Sequence, residues 1–262
     1  MEFRTIVDIE KPGFEIDPCE EMLFVGSCFA DNIGARFKEE KFRAVVNPFG
    51  VMYNPASILH TIERLDGKFK TAFLTLGTNH IYRLNETGEI VDNCQKRPQS
   101  LFTEEELTVD ECADYLQKAI DILRQHNPEI HVVLTVSPIR YRKYGYHGSQ
   151  LSKATLLLAT RQVAGASYFP AYEIVNDELR DYRFYAEDML HPSPQTVDYI
   201  WERLSEVYFS EETKAFLKEW QPLKAALNHK PFNPDSEEYR TFIDKTMLKI
   251  AELQKKYPNF AL

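Results

Sequence analysis

The sequence lacks the long apolar segments of membrane proteins. None of its hydrophobic runs approaches the ~18 residues that a membrane span requires. Residues 1–13 mix charged with isolated apolar side chains, whereas a secretory signal peptide needs a continuous apolar centre. We therefore expect a protein without a membrane span that stays in the cytoplasm.

Cysteine and positive charge are also scarce. The 31 Lys and Arg residues stand against 40 Asp and Glu, a net charge of −9 that argues against nucleic acid as a general partner. The four cysteines lie far apart and form no C-x-x-C pair, which disfavours a disulfide framework or a zinc site. We therefore expect reduced thiols, no metal and no other cofactor, the cysteines being Cys19, Cys28, Cys94 and Cys112.

Short apolar runs alternate with helical patterns along most of the chain. Between the runs, apolar side chains recur at helical spacing, as Phe29, Ile33 and Phe37 do. Alternation of this kind is typical of parallel βαβ units, so the sequence predicts a three-layer α/β sheet with ligands bound beyond the carboxyl ends of its strands. The predicted buried strands are residues 22–25, 44–46, 73–76 and 131–136, with a weaker one near 168–169.

Two segments depart from this alternation. Residues 81–94 carry the apolar pattern and the Asn-Glu-Thr-Gly turn of a β-hairpin insertion. Beyond residue 210 the chain is charged and helical, with helices predicted over 216–227 and 237–256. We therefore predict an α/β domain over residues 1–210 and a helical extension packed on it over residues 211–262.

Helix starts are marked by capping residues. Asn54 precedes a proline at the first helical position, and Ser193 does the same further along the chain. Thr108 and Glu111 have the spacing of a capping box. Ser149 is predicted to cap a helix over residues 150–164, which would end at a glycine.

The tripeptide Gly26-Ser27-Cys28 stands where the first predicted strand passes into the first helix. A nucleophile on such a turn is exposed, and the helix N-terminus favours negative charge that develops nearby. The same position would lower the pKa of a thiol. Serine is also a common N-cap and cysteine a common core residue, so the tripeptide alone does not separate a catalytic from a structural role.

Asp188 and His191 form an Asp-x-x-His pair in a loop that leads into a helix. A carboxylate at this spacing can bond one imidazole nitrogen while the other faces a nucleophile, which fixes the tautomer and stabilises the imidazolium. The pair is a candidate base with its orienting acid. An incidental surface hydrogen bond is the alternative.

Two glycine-containing turns could complete an oxyanion hole. Gly50 has no side chain to obstruct a substrate that approaches its N–H. Asn79 lies just past the third strand, where its amide could donate to an oxyanion. Each turn alone is ordinary, but the order of nucleophile, glycine, Gly-x-Asn and Asp-x-x-His is hard to obtain by chance.

In this order the sequence resembles the SGNH (GDSL-like) hydrolase superfamily, and more closely the bacterial GSCFA family within it. The resemblance covers most of residues 20–210. It implies a flavodoxin-like α/β/α fold and ester or acyl-transfer chemistry on small, acetyl-like acyl groups. The matching segments are Gly26-Ser27-Cys28-Phe29-Ala30, Asn47-Pro48-Phe49-Gly50, Thr135-Val136-Ser137-Pro138, His147-Gly148-Ser149-Gln150-Leu151-Ser152-Lys153-Ala154 and Ala186-Glu187-Asp188-Met189-Leu190-His191-Pro192-Ser193.

The sequence departs from the superfamily at the nucleophile. In the usual Gly-Asp-Ser block the nucleophile stands two residues after the glycine, a register that places Cys28 at that position and Ser27 at the Asp position. Residue type favours Ser27 instead, so both stay candidates. Asn79 matches the Gly-x-Asn of the superfamily, and Asn93 beyond the hairpin is the alternative.

Two further residues are candidates for substrate binding. Arg140 follows a strand and suits a substrate anion, and His147 precedes a predicted helix where it could touch substrate. Asp188, His191 and His147 have metal-binding side chains, but no close ligand spacing such as H-E-x-x-H supports a metal site. The sequence thus predicts an ester hydrolase with a covalent acyl intermediate. Its substrates would be small acyl esters, with esters of carbohydrates among them. The alternatives are an acyltransferase to a sugar or other hydroxyl and a non-catalytic binding protein.

Overall fold

The computed structural model describes residues 3–94 and 97–260. The strands, in chain order, are β1 (Glu21–Gly26), β2 (Arg43–Val46), β3 (Thr71–Leu76), β4 (His80–Leu84), β5 (Ile90–Val91), β6 (Phe102–Glu106), β7 (His131–Val136) and β8 (Ser167–Tyr168). The helices are α1 (Cys28–Glu39), α2 (Pro55–Glu63), α3 (Val109–His126), α4 (Gly145–Gln162), α5 (Ala171–Glu173, continued by a π-helical turn), α6 (Pro194–Tyr208), α7 (Glu211–Asn228) and α8 (Glu237–Lys256).

Five of the strands form one parallel sheet in the order β2-β1-β3-β7-β8. Phe24 of β1 lies opposite Val46 on one side and Phe73 on the other, so the winding direction reverses between β1 and β3. In open α/β sheets ligands bind at such a switch point, outside the carboxyl ends of the strands. The predicted α/β fold with its flavodoxin-like strand order is confirmed, and β1 and β3 mark where to look for a site.

The sheet is buried on both faces, which makes the fold three layers. Along β1, Leu23 and Val25 pack against α2, α3 and α4, whereas Met22 and Phe24 pack against α1 and α6. Successive side chains of a strand point to opposite faces, so a continuous apolar run serves two cores. This is why the predicted strands read as unbroken hydrophobic segments.

The insertion after β3 is larger than predicted. Strands β4 and β5 form the expected hairpin, and β6 pairs antiparallel with β4 to give a second sheet in the order β5-β4-β6. The missed strand β6 reads Phe-Thr-Glu-Glu-Glu, and its last four residues are exposed. Besides the backbone pairing, its Glu104 and Glu105 bond His80 and Arg83 of β4. Polar pairing of this kind leaves no apolar alternation for a sequence pattern to detect.

Three of the four predicted helix caps are confirmed. Asn54, Thr108 and Ser193 each accept an N–H of the first turn through the side chain, and Thr108 and Glu111 form the reciprocal capping box. The Ser149 cap is wrong, because α4 already begins at Gly145. Ser149 lies inside that helix and its Oγ accepts the Tyr141 N–H at 3.1 Å.

Helices α7 and α8 share a small apolar core of their own that includes Trp220 and Tyr257. The indole of Trp220 donates to the Glu39 carbonyl at 3.3 Å, and Lys224 pairs with the buried Glu40 at 2.8 Å, so α7 rests on the end of α1. The division into a domain over residues 1–210 and an extension over residues 211–262 stays a prediction. Residues 1–2 and 261–262, at the outer ends of these two segments, lie outside the described residues. Within the described chain no helix combines the length and apolarity needed to cross a membrane.

Candidate active site

The turn after β1 is fixed on both sides by neighbouring chain segments. Gly26 has φ +141°, and a Cβ at this position would lie 2.1 Å from the Thr75 carbonyl oxygen. Its N–H donates to Asn47 Oδ1 at 2.9 Å, and its carbonyl accepts the Met52 N–H at 2.8 Å. Only glycine fits this turn, and the turn fixes the backbone position of the next two residues at the switch point.

Ser27 acts as the N-cap of α1. Its side chain is buried, its Oγ accepts the Phe29 N–H at 3.2 Å, and the same Oγ lies 3.2 Å from Thr75 Oγ1. Its own N–H donates to the Thr75 carbonyl at 3.1 Å. The hydroxyl thus points into the fold and is engaged in capping, a role that side-chain oxygens at this position commonly have.

Cys28 is the first residue of α1, and its side chain is half-buried at the switch point. Its Sγ lies 3.9 Å from the hydroxyl of Tyr53. Burial raises the pKa of the Cys28 thiol, and the hydrogen bond from Tyr53 only partly opposes this rise. The expected lowering of the thiol pKa is therefore wrong, and a base is needed for Cys28 to react as a thiolate.

Two tyrosines that sequence reasoning missed lie beside Cys28. The Tyr53 carbonyl accepts the N–H groups of Gly77 and Thr78, at 3.0 and 2.7 Å, which ties Tyr53 to the end of β3. The ring of Tyr141 stands at 87° to that of Tyr53, with 6.3 Å between ring centres. No motif marked these residues, because tyrosines in loops are common and their convergence depends on tertiary folding.

A lysine buried in the core joins the ends of two strands. Lys153 of α4 donates from Nζ to the carbonyls of Gly77 and Ser137, both at 2.7 Å. Burial lowers the pKa of Lys153 to about 7. Gly77 follows β3 and Ser137 follows β7, so this side chain fixes the edge of the sheet next to Cys28. The resemblance included Lys153 in a matching segment without giving it a role.

The structure brings Asp188 and His191 together as predicted. Asp188 Oδ2 lies 2.5 Å from His191 Nδ1, and the other oxygen accepts the N–H groups of Leu190 and His191 at 2.8 and 3.0 Å. These hydrogen bonds, the backbone one from His191 first, hold the pKa of Asp188 at about 2. In the described residues no hydrogen bond joins the His191 ring to Cys28 or Ser27, and the His191 side chain is 40% exposed.

Arg140 holds the loop that carries this pair. Its N–H donates to the Leu190 carbonyl at 3.0 Å, and its Nη1 donates to the Met189 carbonyl at 2.9 Å. The guanidinium also lies over the rings of three tyrosines, Tyr146, Tyr182 and Tyr185. The substrate-anion role proposed for Arg140 stays a prediction, while the contacts observed are those of an anchor.

The loop lies alongside the first turns of α1. Pro192, directly after His191, lines the same surface depression as Asn32, which is one helical turn beyond Cys28. Cys28 and Tyr185 pack against the same apolar cluster. The loop that carries His191 therefore lies on the side of α1, the helix that begins at Cys28.

The two predicted oxyanion donors already have acceptors. The Gly50 N–H donates to the Asn47 carbonyl at 2.9 Å, closing an exposed turn. The Asn79 amide is buried and donates from Nδ2 to the Leu107 carbonyl at 2.7 Å. Both roles stay predictions. The single N–H of Gly50 would have to leave Asn47, whereas the Asn79 amide has a second N–H besides the one that Leu107 accepts.

A cavity of about 440 Å³ lies against β4 and β6 of the second sheet. Cys28, Asp188 and His191 are not in its lining, but Tyr53, which contacts Cys28, is. Asn93 lines this cavity, and its roles as a substrate contact or as the alternative to Asn79 stay predictions. His147 is exposed on the first turn of α4 and is not part of the lining. No cluster of His, Cys, Asp or Glu suited to a metal ion occurs among residues 3–94 and 97–260. The walls of the cavity are largely aromatic, from Tyr53, Tyr82, Phe102, Tyr141 and Tyr144.

The strand order and the turn after β1 define an α/β/α protein of the SGNH type, with Asp-x-x-His in the loop before its last core helix. The particular family follows from the sequence model of the GSCFA family, which matches residues 21–72 and 67–204. The chain belongs to this family. A second model, described as the GSCFA domain protein C-terminal domain, matches residues 220–262.

The solved structures that this chain resembles include several esterases. An acetyl esterase mutant with acetate ion has 10% identity and a TM-score of 0.44, over 76% of this chain and 99% of its own. An acetyl xylan esterase from Geobacillus stearothermophilus has 15% identity and a TM-score of 0.42, over 74% and 97%. A carbohydrate esterase family 3 protein from Talaromyces cellulolyticus has 10% identity and a TM-score of 0.40, and the match covers 76% of this chain and 99% of that protein. None of the curated proteins matches the sequence.

Proposed function

We propose that this protein is an acyl-ester hydrolase in which the Cys28 thiol carries the acyl group as a covalent intermediate. The observation that supports this most is the contrast at the switch point. Cys28 presents a half-buried sulfur at the amino end of α1, while the neighbouring Ser27 hydroxyl is buried and engaged as a cap.

The thiol first loses its proton to His191. Cys28 Sγ then bonds to the ester carbonyl carbon, and the carbonyl oxygen takes up the negative charge of a tetrahedral intermediate. As this intermediate collapses, the C=O bond re-forms, the bond to the alcohol oxygen breaks, and that oxygen receives the proton from His191. Water then attacks the thioester by the same sequence and releases the carboxylic acid.

Asp188 orients His191 in this scheme. Its carboxylate holds Nδ1, which leaves Nε2 as the nitrogen that exchanges the proton, and it stabilises the imidazolium. Because burial keeps the Cys28 thiol protonated, this base is required rather than optional. A loop movement that brings His191 Nε2 to Sγ is part of the proposal.

Hydrolysis is favoured over acyl transfer by the exposure of the base. The His191 side chain is 40% exposed, so water reaches the nitrogen that would activate an acceptor. An acyltransferase must exclude water from its intermediate. The cavity that Tyr53 lines has the volume of a small-molecule site, and its tyrosine rings suit a ring-shaped alcohol such as a sugar.

Covalent labelling tests the proposal. We expect iodoacetamide to abolish hydrolysis of p-nitrophenyl acetate in step with modification of Cys28, as mapped by mass spectrometry. Cys94 is also half-buried and lines the cavity, so the labelling is done in a Cys94→Ala background, in which loss of activity can only follow modification of another cysteine. A Cys28→Ala variant should be inactive. Turnover that persists in Cys28→Ala, or a fluorophosphonate adduct on Ser27, would overturn the assignment.

A further inference from the structure

The hydroxyl of Tyr141 makes no hydrogen bond within the described structure, and its oxygen is buried. Buried polar groups in folded proteins are almost always paired, so an unpaired one calls for an explanation such as a catalytic role. This donor lies at the carboxyl edge of the sheet, where the site is.

The surroundings of this hydroxyl place it against the backbone at the end of β3. A Cβ built on Gly77 would lie 2.3 Å from Tyr141 Oη, so the hydroxyl occupies the space that a side chain would fill. The ring is fixed by Tyr53 on one side and by Lys153, whose Nζ lies 5.0 Å from the ring centre. The donor is therefore held in place before any substrate arrives.

The same hydroxyl lies within electrostatic reach of the nucleophile. The pKa of Tyr141 is raised well above its ordinary value, first by burial and then by the neighbouring Tyr53 and Cys28 groups. Tyr141 thus keeps its proton and stays a donor when charge develops at Cys28. Contacts link Cys28 to Tyr53, Tyr53 to Gly77, and Gly77 to the Tyr141 hydroxyl, so these groups adjoin one another.

We propose that Tyr141 donates its hydroxyl to the oxyanion of the tetrahedral intermediate, together with the Cys28 N–H at the start of α1. This inference rests on the proposed acyl-ester hydrolysis. It adds Tyr141 to the candidate donors, of which Gly50 already gives its single N–H to Asn47. A donor that is unpaired before the reaction and paired only in the transition state lowers the barrier most effectively.

Tyr53 has a different role in the same site. Its hydroxyl contacts the sulfur, so it stabilises the thiolate and positions Cys28 rather than binding the substrate oxygen. Burial and the neighbouring Cys28 raise the pKa of Tyr53 to about 12, so it too remains a donor at neutral pH. The two tyrosines are separable by experiment because alkylation of Cys28 generates a thiolate but no oxyanion.

The test compares two reactions of Cys28 in Tyr141→Phe. We expect kcat for p-nitrophenyl acetate to fall by ~10²–10³, the usual effect of losing one oxyanion donor, with KM unchanged. The rate of iodoacetamide alkylation and its pH profile should match wild type. In Tyr53→Phe the alkylation profile should move to higher pH.

Tyr208→Phe is the matched control. Tyr208 also has a buried hydroxyl without a partner in the described structure, but it lies in the apolar core with Phe73 and Phe169. We expect its removal to leave kcat unchanged. An equal loss of kcat in Tyr208→Phe, or slowed alkylation in Tyr141→Phe, would overturn the oxyanion role.

The same experiment separates this inference from the proposed function. If Cys28 is acetylated by p-nitrophenyl acetate at the same rate in wild type and Tyr141→Phe, the proposed function stands and the role of Tyr141 is wrong. If wild-type Cys28 is never acetylated, the proposed hydrolase is wrong and Tyr141 has no oxyanion to bind.

Discussion

The two halves of the candidate site are built in different ways. The half that holds Cys28 is buried and bonded to segments that are distant in sequence, as Gly26 is to Asn47 and Ser27 is to Thr75. The half that holds His191 is exposed, and within its own loop it is stabilised by hydrogen bonds between Asp188 and residues two and three positions away. The first is a property of the sheet, and the second is a property of one loop.

Each half contains one basic side chain that donates to backbone carbonyls. The buried Lys153 joins the ends of β3 and β7, whereas Arg140 bonds the Met189 carbonyl from a partly exposed position. The comparison teaches that the nucleophile is pre-positioned by folding, while the base depends on a loop that can move. Substitutions in the two halves should therefore change different properties.

The largest effect is expected from Asp188→Asn. This change removes the charge that fixes the His191 tautomer, and kcat should fall by about 10⁴-fold, as in other acid–histidine pairs. The rate of p-nitrophenyl acetate hydrolysis measures it. Asp181→Asn, which alters an exposed cap of the neighbouring turn, should leave the rate unchanged. A loss below tenfold in Asp188→Asn would show that the pair is not the catalytic base.

Lys153→Met should change how stability depends on pH. A lysine with a folded pKa of about 7 against an ordinary 10.5 binds fewer protons in the folded protein between these values. The free energy of unfolding of wild type should therefore rise with pH across this window, by at most ~1.4 kcal/mol per pH unit relative to Lys153→Met. Urea denaturation at pH 7, 8 and 9 measures the difference. Parallel curves would contradict a neutral buried amine.

The sheet was predictable, whereas the site was predictable only in part. Apolar runs and caps such as Asn54 act locally, so the sequence shows them directly. The Asp188–His191 pair is equally local. Tyr53, Tyr141 and Lys153 meet only because β1, β3 and β7 end at one edge, and no spacing along the chain encodes that meeting. Leu107, which accepts from the Asn79 amide, directly follows the unpredicted strand β6, so the sequence does not show this contact, and the oxyanion role of Asn79 stays a prediction.

Arg140→Gln should lower activity through the loop alone. It removes a charge-assisted hydrogen bond to Met189, and bonds of this kind contribute ~1.5–3 kcal/mol. If that energy holds the loop in place, kcat/KM should fall about tenfold or more. Alkylation of Cys28 by iodoacetamide should also slow, because this loop carries His191, the proposed base for the thiol. An unchanged alkylation rate would mean that Cys28 reacts without His191.

The smallest effect is expected from Thr108→Ala, which touches neither half. It removes the capping box of α3 and should lower the free energy of unfolding by about 1 kcal/mol, with kcat unchanged. Denaturant unfolding and the esterase assay measure the two quantities. A drop in kcat would show that any loss of folding stability lowers activity. Effects on activity could then not be assigned to one half of the site or the other.

The most direct measurement is the identity of the acylated residue. Wild-type protein mixed with p-nitrophenyl acetate and quenched in acid within one turnover should yield a peptide that carries an acetyl thioester on Cys28. Asp188→Asn should form the same adduct more slowly. An acetyl group on Ser27 or on any other residue, or rapid turnover with no acyl group on Cys28, would contradict the account.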